Sequence, residues 1–282
     1  MKRRGKSGKV VSLVFLYAFF VFIAVFFLFP VVWTVSLSFK TMRELYRFPP
    51  KILPGSLYLE NYGYVINQYN IFAGVRNSFY ITIITVVGTL LITIPAAYAF
   101  SRIKFALSRV LQFSILLFQM ISPIVMLIPL YRYFSRMGLL NSYFGLVAIY
   151  IAVSVPFQVW FIRGFLDTIP VQLDEAATID GCNRLQVITR VLLPVITPGL
   201  FSASLLIFIS SWSQFVVPYI LISAPAKMPV SVALVNLQSS LTSINTQFLA
   251  AGSVVAIAPT IILFVILQKF IVSAMTAGAI KG

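Results

Sequence analysis

Long apolar runs separated by short charged stretches set out the chain before any single residue is considered. No Asp, Glu, Lys or Arg occurs within 10–39, 77–101, 110–131, 137–162, 191–226 or 228–268. A helix needs about 20 apolar residues to cross about 30 Å of hydrocarbon. The pattern therefore predicts six spanning helices, near 11–36, 79–100, 110–130, 143–161, 200–222 and 252–272, in one transmembrane domain covering 1–282. Between the last two, 229–250 is polar and poorly periodic (NLQSSLTSINTQ) and reads as a loop. Pro49, Pro50, Pro54 and Gly55 break any helix that would join the first two spans. Pro30, Pro95, Pro123, Pro129, Pro156 and Pro259 fall in or at the ends of spans, where neighbouring helices satisfy the backbone groups they free. The expected fold class is an all-α integral membrane protein.

Composition agrees. Of 282 residues 60% are hydrophobic and 10% charged, against about a quarter charged in a soluble protein. The 21 basic and 6 acidic residues give a net charge of +15. With no soluble domain to present a basic face, that excess argues against nucleic acid and for lipid, near which cytoplasmic loops gather Lys and Arg. The N-terminal MKRRGKSGK precedes an apolar run far longer than the roughly 7–15 residues of a signal core, so it reads as an uncleaved first span. With the N-terminus inside, thirteen basic residues fall on cytoplasmic segments and eight outside, five of the thirteen (Lys2, Arg3, Arg4, Lys6, Lys9) ahead of the first span. The expectation is a multi-pass plasma-membrane protein with both termini cytoplasmic.

Several chemistries are excluded. There is no histidine, and Cys182 is the only cysteine, so neither imidazole-based metal sites nor an intrachain disulfide framework arises. No span holds a carboxylate, which disfavours a proton-driven carrier. No G-x-x-x-x-G-K-[ST] loop is present to bind a nucleotide. The chain is then either passive or driven by a separate subunit, with no catalytic residue or cofactor of its own.

The acidic residues decide where such a subunit would act. Four of the six, Asp167, Asp174, Glu175 and Asp180, lie within DTIPVQLDEAATIDG. Pro170 suits a first helical turn, with Asp167 or Thr168 as the cap. Asp174 and Glu175 fall in early turns, where negative charge complements the helix dipole. Gly181 stops that helix, and a second is expected from Asn183 to Leu193, ending at Pro194. The pair Ala176-Ala177 permits close approach of another surface. Val187, Ile188, Val191 and Leu192 would hold the second helix against the membrane domain. A helix–elbow–helix knob over 163–198 and a plain solvated loop balancing nearby arginines are both consistent with the residues alone.

The segment Glu175-Ala176-Ala177-Thr178-Ile179-Asp180-Gly181, followed by Leu193-Pro194, resembles the EAA loop of permease subunits of ATP-binding-cassette importers. N-Y at 61–62, R-N-S at 76–78, A-Y-A-F-S-R at 97–102 and T-A-G-A-I-K-G at 276–282 are similar to the carbohydrate branch, the maltose-type inner-membrane permeases. The resemblance implies a type I importer permease fold whose first loop helix seats in a groove of a cytoplasmic ATPase. Glu175 would anchor the docking, with Asp180 part of the same docking motif; Ala176 and Ala177 would allow close approach, Gly181 would permit the elbow, and Leu193-Pro194 would close the motif. It also implies partners: two ATPase subunits that bind the ATP and Mg, a second related permease, and an extracytoplasmic sugar-binding protein. Three positions depart from the family pattern. Cys182 stands where alanine is usual and Ile188 where an aromatic is common, while Trp212-Ser213-Gln214-Phe215 replaces W-N-[DE]-F.

Sugars stack on aromatic rings and need hydrogen-bond partners. Phe118, Gln119, Trp212, Gln214 and Tyr219 are the span residues that fit, although packing or lipid contact is the commoner role for aromatics in a chain with 26 Phe and 13 Tyr. Arg132, Arg136 and Asn141 would meet either the binding protein or lipid headgroups. The expected function is half of the translocation path of an ATP-driven sugar importer. The alternatives are the same machine for a non-sugar solute such as a polyamine or phosphate, and an ATP-independent carrier.

Overall fold

The computed structural model describes residues 6–240 and 246–279, and no strand occurs among them. Lys2, Arg3 and Arg4, which bear on orientation, and the end of the T-A-G-A-I-K-G motif at 280–282 lie outside the described residues. The chain forms two compact units, 1–71 with 236–256, and 72–235 with 257–282.

In the first unit, α1 (Lys6–Ser38) is a phenylalanine-rich rod whose 12–38 portion has no buried hydrophobic residue. The prolines that follow confine the next segment to the four-residue α2 (Met42–Leu45), with helix resuming only at α3 (Glu60–Tyr69). Thr41 and Glu44 form a capping box on α2. Asn61 is almost fully buried, and its amide donates to the carbonyls of Ser38 (2.8 Å) and Lys40 (3.0 Å), the end of α1. Tyr62 completes the tie through a 2.7 Å contact between its hydroxyl and Ser38 Oγ. The N-Y pair thus closes the loop onto the helix it follows.

The second unit holds α4 (Ile71–Arg102), α5 (Ser108–Gln119), α6 (Pro123–Arg136), α7 (Tyr143–Leu166), α8 (Gln172–Ile179), α9 (Arg184–Val195), α10 (Thr197–Trp212), α11 (Val216–Leu221) and most of α12 (Val230–Ser240). The last helix, α13 (Thr246–Ala279), begins in the first unit and ends in the second. Four helices are long and apolar enough to cross a membrane (12–38, 71–102, 143–166 and 246–269), and α9 with α10, bent by 86°, would make a fifth. The stretch predicted as one span over 110–130 is two helices, parted at Met120–Ser122 ahead of Pro123, which has no N–H to continue the ladder. That over 200–222 is likewise parted, at Ser213–Phe215.

The polar stretch 229–250, expected as a loop, is corrected by the structure. It is helical over 230–240 and again from 246. The helix starts here because its first N–H is satisfied: Val230 donates to Ser78 Oγ (2.9 Å). Asn77 donates to the carbonyls of Ala226 (2.9 Å) and Met228 (3.0 Å), and fully buried Val230, Val232 and Leu237 supply the apolar face. R-N-S at 76–78 is the device that holds this corner.

Two apolar cores organise the second unit. One joins Ile81 to Leu146, Val147, Tyr150, Val217 and Leu221, tying α4, α7 and α11. The other joins Ala97 of α4, Ile162 and Leu166 of α7, Ala177 of α8, Val187 and Leu192 of α9 and Ala203 of α10. The acidic segment is therefore built into a hydrophobic core.

Candidate functional site

The segment 167–196 forms a helix–elbow–helix. The helix α8 is stopped by a Schellman closure: Cys182 N–H reaches the Ala177 carbonyl (3.0 Å) and Gly181 N–H that of Thr178 (3.0 Å). Gly181 has φ +84 with nothing near the position of a Cβ, so backbone conformation rather than space requires glycine. Asn183 and Gln186 then cap α9 reciprocally, each at 2.9 Å. Val187–Leu192 is wound as a π-helix, placing Val187, Ile188 and Leu192 together on the buried side with partly buried Val191 beside them, the four residues expected to hold this helix. At Ile196 the chain turns into α10, where Gly199 lets the helix lie against Phe165; a Cβ there would sit 2.6 Å from the ring.

Two expectations for α8 are corrected. Neither Asp167 nor Thr168 caps it. Val171 occupies the cap position without a side-chain bond, since Asp167 ends α7 and Thr168 Oγ1 turns back to the Phe165 carbonyl (2.7 Å). Ala177 is not available for close approach by another surface, because it is buried in the chain's own core; Ala176 is exposed. Glu175 and Asp180 are exposed, as is Pro194, while Leu193 is half-buried against the core.

Asp174 has the opposite fate from its neighbour Glu175. It is buried, and its Oδ2 pairs with Arg102 Nε at 2.9 Å, with both side chains about nine-tenths covered. Arg102 also donates from Nη2 to the Ile169 carbonyl (3.0 Å) and from Nη1 to Ser101 Oγ (3.3 Å). Ser101 Oγ donates to Asp167 Oδ1 (2.6 Å), and Asp167 Oδ2 lies 3.2 Å from Arg163 Nε as an ion pair without hydrogen-bond alignment. Arg163 Nη1 donates to Gln112 Oε1, whose amide nitrogen donates to Ser108 Oγ (3.0 Å). One polar chain therefore links α8 to the ends of α4, α7 and α5. Sequence reasoning missed Arg102, Ser101, Arg163 and Gln112. Their signal was faint: residues of A-Y-A-F-S-R and two charges flanking uncharged runs.

The five residues named for a solute path do not converge. Phe118 is 70% exposed and borders an apolar hollow of about 550 Å³ with Ile115, Ile151 and Val155. Gln119 is exposed, as is Tyr219, which packs on Phe215 (5.0 Å). Trp212 is buried and stacked on Phe208 at 5.4 Å, a packing position. Gln214 alone reaches a polar hollow, with Tyr150, Ser154, Ser210 and Ser211. Asn141, with φ +57, acts within the fold: its Oδ1 accepts from the N–H groups of Ser223 (2.7 Å) and Ala224 (2.8 Å). Arg132 and Arg136 border a separate hollow with Pro129 and Tyr133.

Known proteins are similar to this chain in sequence and in fold. The chain is 33% identical over 256 residues to the sulfoquinovosyl glycerol transport system permease protein SmoH of Agrobacterium fabrum, covering 90% of this chain and 89% of SmoH. It is 31% identical over 264 residues to the trehalose/maltose transport system permease protein MalG of Thermococcus litoralis, covering 93% and 94%. A crystal structure of a bacterial ABC transporter that imports alginate contains a chain of the same fold, with TM-score 0.78 at 24% identity over 95% of this chain and 99% of that one. Residues 88–277 match the family described as binding-protein-dependent transport system inner membrane component, a stretch that includes the helix–elbow–helix and, apart from Ile81, both cores of the second unit. The chain belongs to that family, as an inner-membrane permease component of a binding-protein-dependent transporter.

Proposed function

We propose that this permease forms half of the translocation path of an ATP-driven importer for a sugar or oligosaccharide, and that the exposed edge of α8 is its coupling surface. The energy comes from two separate ATPase subunits that bind ATP and Mg. Glu175 and Asp180 make the polar contacts with them, Ala176 lets the partner come close, and Gly181 with Leu193-Pro194 sets the elbow. A second permease supplies the other half of the path and an extracytoplasmic binding protein delivers the solute. The chain itself performs no catalysis, and its termini and α8 face the cytoplasm.

One observation carries the coupling reading: the knob is exposed at Glu175 and Asp180, yet fixed to α4 through the buried Arg102–Asp174 pair. A solvated loop needs no such anchorage, whereas a lever does. A push on α8 reaches α4, α7 and α5 through one polar chain and α10 through a shared core. The relatives' named solutes, sulfoquinovosyl glycerol and trehalose/maltose, support a sugar.

The test is a cysteine at Glu175, placed in a chain whose Cys182 is alanine and co-expressed with its importer partners. A thiol cross-linker is expected to capture the ATPase subunit at Glu175→Cys but not at Leu185→Cys on α9, and Glu175→Lys is expected to abolish co-purification. Retention of the ATPase by Glu175→Lys at wild-type yield overturns the docking assignment.

A further inference from the structure

We propose that the notch between α7 and α10 is a subsite for hydroxyl groups of the transported solute; this deepens the sugar reading above and rests on it. Its polar groups come from Tyr150 and Ser154 of α7, Ser210 and Ser211 of α10, and Gln214 in the break between α10 and α11, and aliphatic residues of α7 and α11 complete the walls.

Ser211 gives the first reason. The other serines of α10 turn their hydroxyls back to the helix: Ser202 to Pro198 O (3.0 Å), Ser204 to Leu200 O (2.7 Å) and Ser210 to Ile207 O (3.0 Å). Ser211 is 8% exposed and its Oγ has no partner among the described residues. A buried hydroxyl is normally paired, and because Ser211 lines the notch, a group entering from outside the chain can complete it.

The backbone gives the second. Helical pairing stops at Ser213–Phe215. At membrane depth, irregular backbone persists only where it is buried in protein or lines a water-filled cavity. Ser231 Oγ donates to the Gln214 carbonyl at 2.8 Å and fixes this turn, while the Gln214 side-chain amide makes no hydrogen bond among the described residues. A free amide and a free hydroxyl thus face the same hollow.

Size and chemistry narrow the ligand. The hollow offers water about 50 Å³, and one water needs at least roughly 10–15 Å³ of such space. It accepts a few hydroxyls rather than a whole oligosaccharide, so the edge of a solute enters and the rest stays in the wider path. Val153, half exposed at the rim, offers an apolar contact for C–H groups. Serine, tyrosine and glutamine all both donate and accept, and none is charged. That set suits a neutral polyhydroxylated solute and leaves a phosphate or a polyamine without a counter-charge.

The test uses the complete importer in proteoliposomes, with maltose, trehalose and N,N′-diacetylchitobiose as probes. In a Cys182→Ala background, Ser154→Cys and Gln214→Cys are expected to react with a water-soluble methanethiosulfonate, and an imported sugar is expected to slow that reaction. Ser211→Ala and Gln214→Leu are expected to lower sugar import about three- to tenfold at subsaturating solute, with binding-protein-stimulated ATP hydrolysis retained. Absence of labelling in every nucleotide state, or labelling unchanged by a sugar that the complex imports, overturns the subsite. If wild-type complex imports none of the three sugars, the sugar reading fails for them, and the notch is judged separately on its labelling.

Discussion

Arg102 and Asp174, 72 residues apart, meet in an ion pair of 2.9 Å that joins the end of the second long helix to the first turn of α8. Breaking one side leaves an uncompensated buried charge, which costs about 3–5 kcal/mol. Asp174→Asn and Arg102→Met are each expected to lower the thermal midpoint of the detergent-solubilised protein. The double change Arg102→Met with Asp174→Asn is expected to cost less than the sum of the singles, as read from a double-mutant cycle of denaturation midpoints. Strict additivity would show that the pair does not act as a unit.

Glu175, one residue on, is exposed and has no hydrogen bond or ion pair among the described residues. Glu175→Lys is expected to leave the thermal midpoint at its wild-type value while abolishing ATP-driven import. The contrast with Asp174→Asn separates an outward-facing contact from an internal anchor on adjacent residues.

Gly181 holds φ +84 in open space. Gly181→Val is expected to destabilise the elbow by about 1–2 kcal/mol, the cost of a left-handed conformation for a residue with a Cβ, whereas Gly181→Asn is expected to be better tolerated. Proteolysis at 180–184 in membrane vesicles measures the difference, with Val cut faster than Asn and Asn close to glycine.

Gly199 presents the reverse case, space rather than conformation. Gly199→Val is expected to cost roughly 1–3 kcal/mol by overpacking against Phe165, and Phe165→Leu in the same chain is expected to recover part of it. Thermal midpoints of the two single variants and the double report the recovery.

Much of the architecture was legible because charge gaps and proline positions act locally. Gly181, Asn183 and the apolar set Val187, Ile188 and Leu192 stand where their chemistry predicted. Misreadings arose where a distant residue decided the outcome. Nothing near 229–240 announces a helix, since the group that satisfies Val230 N–H is Ser78. Asp167 resembled a cap until Ser101 claimed its carboxylate. Ala177 looked like a docking residue because its pair with Ala176 suggested one face, whereas successive residues of a helix point about 100° apart and only Ala177 turns into the core. Among the solute candidates, residue type alone could not tell stacked Trp212 from Gln214 at a polar hollow.

Sorting the four clustered acids changes what the knob presents to its surroundings. Asp167 and Asp174 are matched by Arg163 and Arg102, leaving Glu175 and Asp180 exposed on the first helix and elbow, and Arg184 and Arg190 exposed on the second. The exposed charges of the knob are then two negative and two positive, a dipolar set rather than a net negative patch. A dipolar field decays faster with distance than that of a net charge, so this face does little to draw a partner from afar. At contact, the same field favours an aligned partner over a reversed one. The surface is suited to setting orientation in an assembly that is already formed.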